Sequence, residues 1–268
     1  APYFQEIFRN QIAGNANPSV LTIPEHNGTS IKLASLTKVE PLDLVACRDF
    51  LVNVKLLESP TAEPARDILH ALEKFDQPIA EIREASQRPS SKFPVKWEDG
   101  ISAHLPHLHT FPQLGRILHL RIIAHLALGD ASAARSDIDL GLRCYRALEN
   151  EPVLITGLVR IALLAQLEGA IWDGFTRRAW PEPELRSLQA TFAKLDLLDD
   201  LRFALESERG GFNSIAEQLV AQPGAMADVL AAFDINSAFA FRFYPIGWIR
   251  RSQLVVNRYF DDQVAAIQ

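Results

Sequence analysis

Three imidazoles fall within six residues, at His104, His107 and His109. Neutral imidazole binds zinc or copper, and ligands this close in a loop can share one ion. A complete site needs a third or fourth donor, and no neighbouring cysteine or carboxylate supplies it. His119 and His125 follow, yet six residues apart on a helix they point in different directions. Leu105, Pro106 and Leu108 suggest a segment packed on the protein body with its histidines at the rim. His104, His107 and His109 are therefore metal-ligand candidates set against an ordinary role as surface or capping histidines, and no cofactor is expected.

A second chemical candidate is Glu208. Leu198, Leu201, Leu205, Phe212, Ile215 and Leu219 form an apolar stripe at three- and four-residue spacing, and Glu208 stands where a further leucine belongs. In a continuous helix its carboxylate would point to the core and would need a partner, a proton or water. A carboxyl held protonated suits a general acid, so Glu208 is the catalytic candidate. Two structural readings compete: an ion pair with an arginine such as Arg160, or a kink at Gly210-Gly211 that turns the acid outward. No nucleophile or second acid completes a reaction centre.

The third candidate is aromatic. Phe239, Phe241, Phe243, Tyr244 and Trp248 crowd one short segment, and the three alternating phenylalanines share a side if the chain is extended there. Exposed, they form a partner-binding patch; buried, they close the last helix against the body.

Helices must position all of these groups. Leu114, Ile117, Leu118, Ile122 and Leu126 mark one helix, and Ala134, Ile138, Gly141, Leu142, Tyr145 and Leu148 a second. Gly129-Asp130 between them supplies a left-handed helix end and a capping carboxylate. Pro152 opens a third helix, apolar nearly all round, which belongs in the middle of a bundle or stack. Further helices are expected from Pro41 to about Glu58, over 62–87 with a kink or split at Pro78, from Pro183, over 198–221 and from Pro245. Tyr3 to Ile12 reads as a short helical arm, and 14–40 as irregular.

Composition bounds the rest. With 27 basic and 33 acidic residues the net charge is −6, so the chain lacks electrostatic attraction for phosphate backbones, and nucleic acid is not an expected partner. Cys47 and Cys144 lie far apart and are read either as one disulfide or as two buried thiols. The 153–175 stretch is interrupted by Arg160, Glu168 and Asp173, which favours a core helix over a membrane span.

Leu128-Gly129-Asp130 through Ala134, with Ala124 before it, resembles the turn of a tetratricopeptide repeat, where Gly-Asp ends helix A and an alanine packs early in helix B. Arg121, Ile122 and Arg146 depart from that pattern. The stretch from Leu120 to Arg209, with Glu151-Pro152-Val153-Leu154-Ile155 and Glu208-Arg209, and later Pro245-Ile246-Gly247-Trp248, is similar to uncharacterised bacterial helical proteins. The resemblance implies fold and not activity.

The expected fold is all-α: an antiparallel helix-pair array over 41–268, one domain, with a loop-rich arm and irregular segment over 1–40. The expected function is a non-catalytic protein-protein interaction module or accessory subunit. The alternative is a metal-binding protein or hydrolase built on His104, His107 and His109 or on Glu208. A protein partner is expected. The start at Ala1 without methionine adds the expectation of peripheral membrane attachment, or an extracytoplasmic place, through a segment ahead of it.

Overall fold

A computed structural model describes residues 41–97, 103–221 and 245–267, together with the backbone of two short strands. The expected arm over 3–13 and the residues Phe239, Phe241, Phe243 and Tyr244 lie outside the described residues. The two apolar runs inside the segment read as irregular pair with each other. Strands β1 (Val20–Pro24) and β2 (Ser30–Ala34) form an antiparallel ribbon with Val20 opposite Ala34 and Ile23 opposite Ile31.

The body is all-helical. Helix α1 (Leu44–Asn53) starts three residues after Pro41 because the Asp43 carboxylate caps it, accepting from the amides of Val45 and Ala46. The helix expected over 62–87 is two helices, α2 (Pro64–Leu72) and α3 (Asp76–Ala85), separated by a 3-10 turn at Glu73–Phe75. Pro78 explains the break. It occupies the first turn of α3, where its missing N–H has no carbonyl to meet.

Helices α4 (Thr110–Ala127) and α5 (Ala131–Ala147) make the expected hairpin. Gly129 takes φ +80, Asp130 donates its amide to the His125 carbonyl, and the Gly129 amide bonds Leu126. The Asp130 carboxylate then accepts from the Ala133 amide at 2.9 Å and starts α5. After these come α6 (Leu154–Thr176), α7 (Glu182–Phe192), α8 (Leu197–Ala221) and α9 (Ile246–Ala265). Helix α8 runs unbroken through Gly210-Gly211.

Contacts gather in two compact units. One comprises residues 1–88, 111–144 and 163–192; the other comprises 89–110, 145–162 and 193–268. Helix α6 gives its first turns to the second unit and the rest to the first.

The first unit holds most of the core. Helix α4 buries Leu114, Ile117, Leu118, Leu120, Ile122, Ile123 and Leu126, so it is covered on nearly every side. This is the central role that the sequence reading assigned to α6. Helix α6 is covered on one side only, packed by Leu163, Leu164, Leu167 and Ala170. The contact is close because Gly141 of α5 stands against Leu167, where a Cβ would lie 2.6 Å from Leu167 Cδ2. The opposite side leaves Ile155, Leu158, Ile161, Trp172 and Phe175 about half exposed. Helix α6 is also long and apolar enough to cross a membrane.

Among the described residues, the second unit has a thinner core. Helices α8 and α9 pack antiparallel around Ala216, Leu219 and Ile249, with Ile215 and Val220 at the edge. Next to that core, Asn213 and Asn257 exchange amide hydrogen bonds of 2.9 and 3.0 Å. Gln253 adds a bond to Asn213 at 3.0 Å.

Two glycine substitutions separate close packing from helix propensity. Gly141→Ala is expected to lower stability by about 1–3 kcal/mol through overpacking against Leu167. Gly210→Ala, with open space at its Cβ position, is expected to raise stability by about 0.5–1 kcal/mol. Urea unfolding followed by circular dichroism measures both.

Candidate functional site

The histidine segment is a helix-entry turn. The His109 ring Nδ1 meets the Pro106 carbonyl, and Thr110 Oγ1 donates to the His107 carbonyl at 2.6 Å. His104 and His109 are exposed. His107 alone is mostly covered: its ring stacks on Phe93 at 4.2 Å, and Nε2 lies 2.8 Å from Glu151 Oε1. The other Glu151 oxygen accepts from Thr156 Oγ1 at 2.9 Å. His107 and Glu151 thereby tie this loop to the first turn of α6. The three imidazoles do not converge, and among the described residues no three His, Cys, Asp or Glu side chains gather at metal-binding distance.

Glu208 does not point into a core. It is exposed, and its carboxylate accepts from the Leu154 amide at 3.3 Å. That amide is one of the unpaired donors of the first turn of α6, where a negative charge also suits the helix dipole. The acid buried by the stripe reading is thus a helix-terminus partner. Arg160, the arginine expected to meet it, is engaged two turns earlier on α8. Its guanidinium donates to Asp200 Oδ2 at 2.8 Å and to the Tyr145 carbonyl at 3.2 Å, with its carbon 4.3 Å over the Tyr145 ring. The Tyr145 hydroxyl also donates to Asp200. Burial and that bond push the phenol pKa upward, so Tyr145 stays a donor.

Among the described residues the first unit holds three buried acids: Asp137, Asp173 and Asp67, which accepts from the amide and hydroxyl of Thr61. Asp137, 2% exposed, receives Arg83 at 2.8 Å and Arg121 at 3.0 Å, and Arg121 reaches on to Asp76 at 2.6 Å. Asp173 accepts from the Leu42 amide and from Arg177, which in turn donates to the Leu42 carbonyl. The pair grips both polar groups of one peptide residue and holds the entry to α1 against the end of α6. Beside it lies an open cleft of about 870 Å³ lined by Pro41–Val45, Ala62–Arg66, Ala127, Leu128 and Arg177.

His119 lies in the same unit against Gly169, its Cε1 3.0 Å from where a Cβ would stand. Burial pushes its pKa down to about 4, against the pull of Asp173 and a hydrogen bond with Gln166. The cysteines are two buried free thiols, which settles the open alternative against a disulfide. Burial lifts Cys47 to about 12 and Cys144 to about 11, which keeps both unreactive.

Of the aromatic candidates only Trp248 is described, and it is exposed at the start of α9. Leu254, Val255 and Tyr259 on the same helix are exposed as well, as are Leu197, Leu198 and Phe203 on α8. Sequence reasoning missed Asp137, although the signal was there: it stands between Ala134 and Gly141 at helical spacing, as Glu208 does in its stripe. Asp200 carried no such signal.

No protein-family model matches the chain, and neither a curated protein nor a solved structure matches it.

Removing Asp200 strands a buried arginine, whereas Glu208 is bathed in water. Asp200→Ala is expected to lose about 2–4 kcal/mol of stability, and Glu208→Gln less than about 1 kcal/mol, both read from urea midpoints. Equal losses would restore Glu208 as the buried acid.

His119 sets a pH dependence. Its imidazole binds a proton near pH 6.5 when unfolded but resists until about pH 4 when folded. Between these values the unfolded state takes up more protons, so the contribution is complete above pH 6.5 and is lost as pH falls toward 4. The loss is on the order of 3 kcal/mol. His119→Gln is expected to flatten stability over that window, measured by urea unfolding at pH 7 and pH 5.

Proposed function

We propose that this protein is a non-catalytic protein-protein interaction module, an accessory subunit whose helix pairs present a surface to a protein partner. The observation that carries the reading is the apolar surface of the second unit. Leu197, Leu198, Phe203, Trp248, Leu254, Val255 and Tyr259 are exposed on α8 and α9, which pack around Ala216, Leu219 and Ile249 among the described residues. Large exposed apolar areas mark interaction sites on soluble proteins, and aromatic residues are enriched in the centre of such interfaces.

The ionisable groups support the same reading. Asp200, Asp137, Asp173 and Glu151 each spend their oxygens on helix-to-helix or loop-to-helix contacts. The net charge of −6 favours a protein partner over nucleic acid. The tetratricopeptide-like character rests on the α4–α5 turn, where Ala124 and Ala134 are fully buried as the small positions of such a pair require. Arg121, a departure from the repeat pattern, serves this chain as an ion-pair hub.

A photo-crosslinking residue placed at Val255 or Tyr259 in the source cell is expected to give a discrete adduct with one protein. The same label at exposed Gln189 on α7 is expected to give none. Tyr259→Asp should cut the Val255 adduct about tenfold. Equal labelling from all three positions, or none from α9, would refute the proposal.

A further inference from the structure

The first turns of α6 lie against α8 within the second unit, so closely that a Cβ at Gly157 would stand 3.1 Å from Ala204. Between these helices is a cavity of about 20 Å³, room for one water-sized atom. Tyr145, Arg160 and Asp200 line it with polar groups, and Leu158, Ile161, Leu197 and Leu201 with aliphatic ones. Tyr145 and Arg160 are buried, whereas Leu158, Ile161 and Leu197 are about half exposed. The polar groups thus form the bottom of the cavity and the aliphatic groups its mouth.

The polar groups are only partly used. Arg160 spends Nη2 on Asp200 Oδ2 and Nε on the Tyr145 carbonyl, and Asp200 Oδ2 also takes the Tyr145 hydroxyl. Among the described residues, Arg160 Nη1 has no acceptor and Asp200 Oδ1 no donor. The ion pair therefore keeps a spare donor and a spare acceptor while its own charges cancel. A charged ligand gains little from it. Asp196 and Asp199, exposed on the adjoining turn of α8, weigh further against a carboxylate or a phosphate. A neutral donor–acceptor pair is matched by the main chain of one extended residue, whose N–H and C=O point to the same side. Its carbonyl oxygen is the size of the cavity. Its side chain, if aliphatic, meets the leucines and isoleucine at the mouth.

We propose that this cavity seats the main chain of one extended leucine or isoleucine of a protein partner. The carbonyl oxygen accepts from Arg160 Nη1, the N–H donates to Asp200 Oδ1, and the side chain packs on Leu158, Ile161 and Leu197. This deepens the interaction reading by giving the partner's chemistry, and it rests on that reading for the occupant being a protein.

The test uses the whole chain, isotope-labelled for nuclear magnetic resonance, and acetyl-leucine methylamide as the probe. The Arg160 Nε–H signal and the Leu158 and Ile161 methyl signals are expected to shift together and saturate. A ligand of this size should show a dissociation constant on the order of 1–10 mM. Acetyl-alanine methylamide keeps the main chain without the aliphatic side chain, and is expected to bind about tenfold more weakly. Methyl isocaproate keeps the branched chain and a carbonyl but has no N–H, and a loss of about tenfold is expected again. Leu158→Ala alters the mouth without touching a buried group. It should weaken the leucine probe about fivefold with an unchanged dichroism spectrum.

No saturating shift at about 50 mM probe, several times that constant, overturns the proposal. So does equal binding of the leucine and alanine probes, or a shift confined to Val255 and Tyr259. Shifts of the Leu158 and Ile161 signals with protein concentration alone would give the mouth to a second copy, and overturn it as well. Failure of the probe while the α9 adduct persists sinks this inference and leaves the interaction module standing. Loss of the α9 adduct with saturable probe binding does the converse.

Discussion

The close approach of α6 to glycine on neighbouring helices decides which way that helix faces. A Cβ at Gly115 of α4 would lie 2.9 Å from Leu163, and one at Gly141 of α5 would lie 2.6 Å from Leu167. These notches let two leucines sink to the depth of the backbone, where dispersion contacts are densest. Once Leu163 and Leu167 are fixed inward, the 3.6-residue period fixes everything else on α6. Thr156, Arg160, Ala170 and Asp173 share the covered side, and Ile155, Leu158, Ala165, Trp172 and Phe175 are turned to solvent.

The inward side of α6 is therefore not purely apolar, and its charges impose their own conditions. Arg160 and Asp173 are buried and must be matched by opposite charge and hydrogen bonds. Each finds its match within one unit: Arg160 in Asp200 and the Tyr145 carbonyl, Asp173 in Arg177 and the Leu42 amide. Buried pairs of this kind contribute less to stability than apolar packing would, but breaking one is expensive, so they favour a single arrangement of their helices. Asp137 does the same between α3, α4 and α5 through Arg83 and Arg121.

Local signals in the sequence translated well into structure, and long-range ones did not. Gly129-Asp130 was legible because both its left-handed turn and its cap lie within a few residues. Pro78 was legible for the same reason, and of the kink or split expected there it makes the split, between α2 and α3. Glu208 misled because its stripe repeats every seven residues, a period that drifts about 20° per repeat around a straight helix. Helix α8 settles its contact on Ala204, Ala216 and Leu219, and the Glu208 carboxylate reaches out to the Leu154 amide. Asp200 was silent because its partner is forty residues away. Helix α6 shows the limit of hydropathy: an apolar helix must seek cover, but composition does not say how much of it neighbouring helices provide.

The central claim is that α6 has one covered and one open side, and cysteine accessibility along it tests that directly. Single cysteines placed from 155 to 176 would be alkylated in the folded protein, against the silent background of buried Cys47 and Cys144. Reactivity is expected to rise and fall with helical period, high at 155, 158, 162, 165, 172 and 175 and low at 156, 160, 163, 167 and 170. Uniform protection along the helix would mean that α6 is enclosed on all sides and would contradict the open face.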